Sequence, residues 1–174
     1  MLSLETWEKL SYIVTVVGLP FGIAVFLLEQ RRQRLNDEEE VYQRLADEYT
    51  GFQKLVLEHS DLQLNAPHPT QPLTPEQEER KRILFDVLTS LFERAYILVY
   101  EDRMNKQQAR LWQTWEDFMR VWCRRADYRT QLADLLVGED PDFAEHIRKL
   151  AAEEAAKDQS RHPHPTPPVE SESP

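Results

Sequence analysis

The chain has 174 residues with a formal net charge of −10, 41% hydrophobic residues, four glycines, eleven prolines and one cysteine. That length holds one domain with an anchor and a tail besides, and the composition, poor in glycine and rich in Glu, Gln, Arg, Leu and Ala, favours helix over sheet. Residues 1–34 carry +1 and the other 140 carry −11, a balance that disfavours binding to phosphate backbones and makes a nucleic-acid partner unexpected.

A short N-terminal stretch, residues 1–9, precedes nineteen consecutive uncharged residues, "LSYIVTVVGLPFGIAVFLL" at 10–28. A helix of that length spans about 28 Å, close to the roughly 30 Å of a bilayer core. Trp7 and Tyr12 lie near its beginning, where amphipathic rings favour the interface, and Arg31, Arg32 and Arg34 follow its end. A cleaved signal would place its positive charge ahead of the apolar run, and here Glu5 and Glu8 stand there instead. The expectation is therefore one transmembrane helix in the cell inner membrane. The positive-inside rule places the N-terminus outside and everything after the arginines in the cytoplasm. The lone Cys123 makes no internal disulfide, which suits a reducing compartment.

Within the span, Gly18 and Gly22 bracket Pro20 at GxxxG spacing. Small residues four apart let helices approach closely in lipid, so a homo-oligomer through this face is one reading and a mildly kinked anchor the other. Residues 29–40 combine the basic stop with an acidic run, "NDEEE", expected as a solvated helical stalk. Tyr42, Leu45, Tyr49, Phe52 and Val56 then form one helix seam. Gly22 and Tyr42 are twenty residues apart, which on a straight helix leaves about 160° between the glycine face and the seam. The seam is accordingly assigned to its own domain's core.

The remaining organisation is a helical domain over residues 41–156, with a loop at 59–74 and a disordered proline-rich tail at 157–174. The fold class is all-α, a transmembrane helix continuing into a bundle of about four helices. Thr74, Pro75 and Gln77 give a helix start. The helix that follows carries Leu84, Leu88, Leu91, Ala95 and Leu98 on one seam, widened by Phe85, Phe92, Tyr96 and Val99. A third helix, about 105–125, has Leu111, Trp115, Phe118 and Trp122 on one face with Trp112 and Met119 beside them. These aromatics read as core or as a partner face. A short helix, a stop at Gly138, a start at Asp140 and Pro141, and a final helix complete the domain.

No phosphate loop, GxSxG, HExxH or paired CxxC occurs, and none of the five histidines follows a glutamate at di-iron spacing. No catalytic residue, metal ligand set or cofactor is expected. The densest positive charge in the acidic domain is "MRVWCRRADYR", where Arg120 and Arg124 share a helix face and Arg125 follows. This patch either binds an acidic peptide, a phosphate or a nucleotide, or pairs with the domain's own carboxylates. Cys123 between them reads as a packed bystander, although arginine neighbours lower thiol pKa values.

With "LTSLFERAYILVYE" and "WEDFMRVWCRR", the layout resembles uncharacterised bacterial single-pass membrane proteins with a small cytoplasmic helical domain. More loosely, it resembles the membrane-anchored, HEPN-like helical accessory protein of RNA-targeting CRISPR systems, which implies a pore-forming assembly. HEPN ribonucleases carry an arginine followed after four to six residues by a histidine, and no histidine here has one. The expected function is a non-enzymatic, membrane-anchored interaction protein with the bilayer, further copies and an unidentified protein as partners. A pore-forming effector and a nucleotide- or phosphate-responsive domain are the alternatives.

Overall fold

The computed structural model describes residues 19–66 and 71–161. Among them are five α-helices and one 3-10 turn, and no strand. The helices are α1 (Leu19–Glu58), α2 (Pro75–Val99), α3 (Lys106–Cys123), α4 (Ala126–Leu135) and α5 (Pro141–Arg161). The all-α class expected from composition is the one observed. The chain divides into two compact units, residues 1–44 and 45–174, so the residues of α1 are shared between them.

In the first unit the described part is wholly helical. Phe21, Ile23, Val25, Phe26, Leu27 and Leu28 are all exposed, with Phe21 at 68% and Phe26 at 66%. Arg32 is exposed, and Arg44 pairs with Glu40 one turn earlier at 3.2 Å. Among the described residues no helix is long and apolar enough to cross a membrane. Of the uncharged run 10–28 only residues 19–28 are described, about 15 Å of helix before Glu29, or half a bilayer core. Trp7, Tyr12 and Gly18 lie outside the described residues. Pro20, Arg31 and Arg34 fall within α1.

The second unit is a bundle of four whole helices with the C-terminal part of α1. Three of the four, α2, α3 and α5, begin where a side chain satisfies backbone N–H groups left free by the first turn. Thr74 Oγ1 accepts from Gln77 N at 3.3 Å while Gln77 Oε1 accepts from Thr74 N at 2.9 Å, a complete capping box with Pro75 following. Asn105 and Gln108 repeat that arrangement for α3. Asp140 Oδ1 accepts from the N–H groups of Asp142 and Phe143, both at 3.0 Å, to open α5. The preceding stop is Gly138 at φ +93°, a backbone region that costs a side-chain-bearing residue more.

Helix α2 packs against α3, α4, α5 and the 3-10 turn Ser60–Leu62. It is the central helix because apolar residues cover most of its circumference: Leu84, Phe85, Leu88, Leu91, Phe92 and Ala95 are buried. Leu98 departs from the expected seam. It is 54% exposed, like Ile97 beside it, although Tyr96 in the same turn packs on Trp112 and Phe143, so the neighbours cover one side of the last turn and leave that of Leu98 open. The seam of α1 is core at Leu45, Phe52 and Val56, and Tyr49 stacks on Phe118 at 4.3 Å. Trp112, Trp115 and Trp122 are all buried, with Phe52 and Phe85 edge-on to Trp122 at 5.5 and 6.2 Å. Aromatic pairs of this kind add about 0.5–1.5 kcal/mol each beyond the area they bury. Of the two sequence readings for these tryptophans, core is the observed one.

The final helix continues to Arg161, into the stretch expected as tail from 157. Lys157 and Asp158 hold it there through ion pairs with Glu154 and Arg129. The rest of that stretch lies outside the described residues.

Candidate functional site

The arginine-rich turn between α3 and α4 packs against α5, and its three arginines have three different fates. A spacing of four residues puts Arg120 and Arg124 on one face of the α3 end, toward the carboxylates of α5. Arg120 meets Glu116 at 2.7 Å within α3, Glu153 at 2.7 Å and Glu154 at 3.5 Å. Partial burial opposes its charge, but the hydrogen bonds to Glu153 and Glu116 outweigh that and raise its pKa above the ordinary arginine value. The Arg120 contact in turn holds Glu153 below the usual carboxylate range. Arg120 is thus neutralised.

Arg125 turns inward. It is 7% exposed, and its Nη1 donates to the carbonyls of Leu64 at 2.8 Å, Ala66 at 2.7 Å and Gln63 at 3.4 Å. Its other edge forks onto Asp127, Nε to Oδ1 at 3.0 Å and Nη2 to Oδ2 at 2.8 Å. Burial alone would push the Asp127 carboxyl up, but Arg125 and the buried Lys81, 3.5 Å away, bring it below its usual value. The side chain ties the loop after the 3-10 turn to the start of α4. Three carbonyls turned toward one point need a multidentate donor, and the guanidinium fork supplies it.

Arg124 is the open one. Its side chain is 61% exposed and makes a single contact through Nε, 3.3 Å from Glu154. Glu154, 4% exposed, also receives Lys157 at 2.6 Å and Arg120 at 3.5 Å. Burial raises the Glu154 carboxyl, and Lys157 and Arg124 more than reverse that. One buried carboxylate therefore gathers three cations.

Arg124 and Arg125 both line a cavity of about 410 Å³, and Arg120 is not part of its lining. The apolar wall comes from Tyr49 on α1, Leu64 and Ala66 on the loop, and Val121 and Trp122 on α3. Trp122 Nε1 donates to Tyr49 Oη at 3.3 Å. Burial raises the Tyr49 phenol, partly offset by its hydrogen bonds with Trp122 and Gln53. The polar wall consists of Gln53, Asn65, Arg124, Lys157, Glu154 and Asp158. The arginine motif directed attention to this corner, but Asn65, Glu154 and Lys157 carried no signal linking them to it. The packing of α5 on α3 brings Glu154 and Lys157 there, and the loop after the 3-10 turn brings Asn65.

Elsewhere, Cys123 is fully buried, and burial followed by the Glu154 charge pushes its thiol up to about 12. This is packed-bystander behaviour, since a thiolate is needed for reactivity. His146 lies among the rings of Tyr96, Tyr100 and Trp112, with centroids 5.3 to 6.0 Å away. Its burial lowers the imidazole pKa and leaves Nε2 without a partner. Among the described residues no group of three or more His, Cys, Asp or Glu is placed to hold a metal ion.

The fold class is thus a small all-helical bundle whose cavity has one aromatic and one charged wall. No family model matches the chain, and neither does any curated protein or solved structure.

Proposed function

We propose that this chain is a single-pass membrane protein whose helical domain works as an interaction module on the cytoplasmic face of the inner membrane. The observation behind the reading is the exposed apolar stretch of α1. Between Phe21 and Leu28 the large side chains point around the whole helix, and each is about half exposed or more. A partner groove calls for one apolar stripe, whereas a helix apolar on every side calls for complete burial or for lipid. The uncharged residues 10–18 precede this stretch and Arg31, Arg32 and Arg34 follow it, which favours lipid with the domain inside.

The test places a cysteine at Asp37 of the full chain and applies an impermeant thiol reagent to intact cells. Buried Cys123 supplies a silent background. The expected result is membrane fractionation, with labelling only after permeabilisation. Labelling of intact cells overturns the orientation, and recovery of the chain without membranes overturns the anchor.

A second reading, a pore or membrane-perturbing assembly, draws on Gly22. A methyl group added there meets nothing within 4 Å, so its missing side chain serves no contact within its own chain. Close packing of copies through Gly18, Pro20 and Gly22 gives the glycine a purpose. Dye release from liposomes reconstituted with the full chain supports this reading, and intact liposomes refute it.

A further inference from the structure

The structure assigns the cavity between the aromatic wall of Tyr49 and Trp122 and the cations Arg124 and Lys157 to a small organic anion of the mononucleotide class, a planar ring bearing a phosphate. The inference goes beyond the anchoring reading and does not depend on it.

Size is the first support. About 410 Å³ lies within the range of small-molecule sites, roughly 300–1,000 Å³. The lining is the second. Tyr49, half-buried with one face on Phe118, offers the ring surface, and base–aromatic stacking is a sequence-tolerant source of affinity. Asn65 offers an amide, donor and acceptor together, to the edge of a heteroaromatic ring. Burial of Trp122 at 5% exposure limits a ligand to its accessible edge, with Tyr49 and Val121 supplying the remaining surface.

Charge bookkeeping at the mouth is the third. Arg120 has Glu116 and Glu153 to itself, Arg125 has Asp127, and Arg129 has Asp158 at 3.4 Å. Glu154, which also meets Arg120 at 3.5 Å, is the carboxylate for both Arg124 and Lys157, so these five cations and five carboxylates balance and the mouth of the cavity offers unspent donors rather than a net charge. Arg124 spends only Nε on Glu154, so its two terminal nitrogens are available for a bidentate contact. Lys157 is 54% exposed and keeps two of its three donors. The buried carboxylate has a definite role here, as it orients both cations at the rim and leaves their other donors free. Lining by Glu154 and Asp158 also sets specificity, because an anion that reached past the two cations would meet their repulsion.

The probe is adenosine monophosphate, titrated calorimetrically into the full chain in detergent micelles at low salt, with adenosine and inorganic phosphate as separate arms. Saturable binding of the nucleotide, weaker binding of either fragment, and a loss of about tenfold or more in Arg124→Ala and in Lys157→Ala is the expected result. Both replaced side chains are exposed, so the fold survives their loss. Arg82→Ala, at an exposed arginine on a different hollow, is expected to leave affinity unchanged. The assignment is overturned by an absence of saturable nucleotide binding up to millimolar concentration, or by binding that Arg124→Ala and Lys157→Ala leave intact. Equal binding of phosphate alone overturns the ring half of the assignment.

Discussion

Replacing Arg125 with alanine takes a donor from four groups, of which the Gln63 carbonyl keeps the Ala66 N–H and Asp127 keeps Lys81. The carbonyls of Gln63, Leu64 and Ala66 lose a charged donor, and Asp127 loses its bidentate partner in a half-buried setting. Hydrogen bonds to charged groups contribute about 1.5–3 kcal/mol each, but these share one donor and do not add. Breaking a buried ion pair from one side costs about 3–5 kcal/mol. Lys81 remains 3.5 Å from Asp127 and keeps the total near that range. Against a domain stability of about 5–15 kcal/mol this is a large fraction. Urea denaturation of the full chain in micelles, followed by tryptophan fluorescence, is expected to show a midpoint lowered by roughly 2 M. Arg125→Lys recovers little, since an ammonium cannot fork onto Asp127 and reach three carbonyls at once. Arg124→Ala is the matched comparison, an exposed arginine with one contact, expected within about 0.5 kcal/mol of the parent. If the two alanine variants unfold at the same urea concentration, the account of Arg125 as the loop's tie is wrong.

Three further outcomes are expected. Glu139 sits against Glu93 and accepts from Ser90 at 3.0 Å, and burial followed by the Glu93 hydrogen bond lifts its carboxyl from the ordinary 4.5 to about 7. The folded chain thus binds the extra proton between those values, so this group's stabilisation is complete below pH 4.5 and is lost as pH rises through 7. Glu139→Gln, which mimics the protonated form, should match the parent near pH 5 and exceed it in stability near pH 8; a constant gap refutes the shift. Thr89 Oγ1 donates to Phe85 O at 2.8 Å, and Tyr128 Oη lies 3.0 Å from it in a fully buried site. Tyr128→Phe leaves Thr89 still bonded and costs about 0.5–1.5 kcal/mol, whereas Thr89→Val orphans the phenol and costs about 1–3 kcal/mol; thermal unfolding that reverses this order contradicts the assignment. Finally, replacing Gly18 and Gly22 with leucine should lower the mass of any oligomer measured in detergent, because a side chain at Gly22 disturbs nothing in its own chain. An unchanged mass excludes the glycine face as the contact.

Most of the bundle was legible one element at a time. Thr74–Pro75–Gln77, Asn105–Gln108 and Asp140–Pro141 are local signals, since a cap and the N–H groups it satisfies lie within three residues of each other. The apolar periodicity of Leu84 to Ala95 and of Leu45 to Val56 is likewise short-range information about a face, and those faces are the buried ones. Leu98 marks the limit. Periodicity places it on the seam, but only the placement of the neighbouring helices decides whether a seam position is covered.

The arginine motif shows the same division more sharply. Three cations in "RVWCRR" declare positive charge, and nothing local distinguishes a residue tied to three carbonyls 59 to 62 positions away from one left open to solvent. Arg120, Arg124 and Arg125 differ because α5 brings Glu153, Glu154 and Lys157 to one side of the turn, and the 3-10 loop brings Leu64 and Ala66 to the other. Helix starts and faces follow from interactions within a turn or two and so are written into the order of residues. The worth of a charge depends on what lies within a few ångströms of it, and only the packed chain decides that.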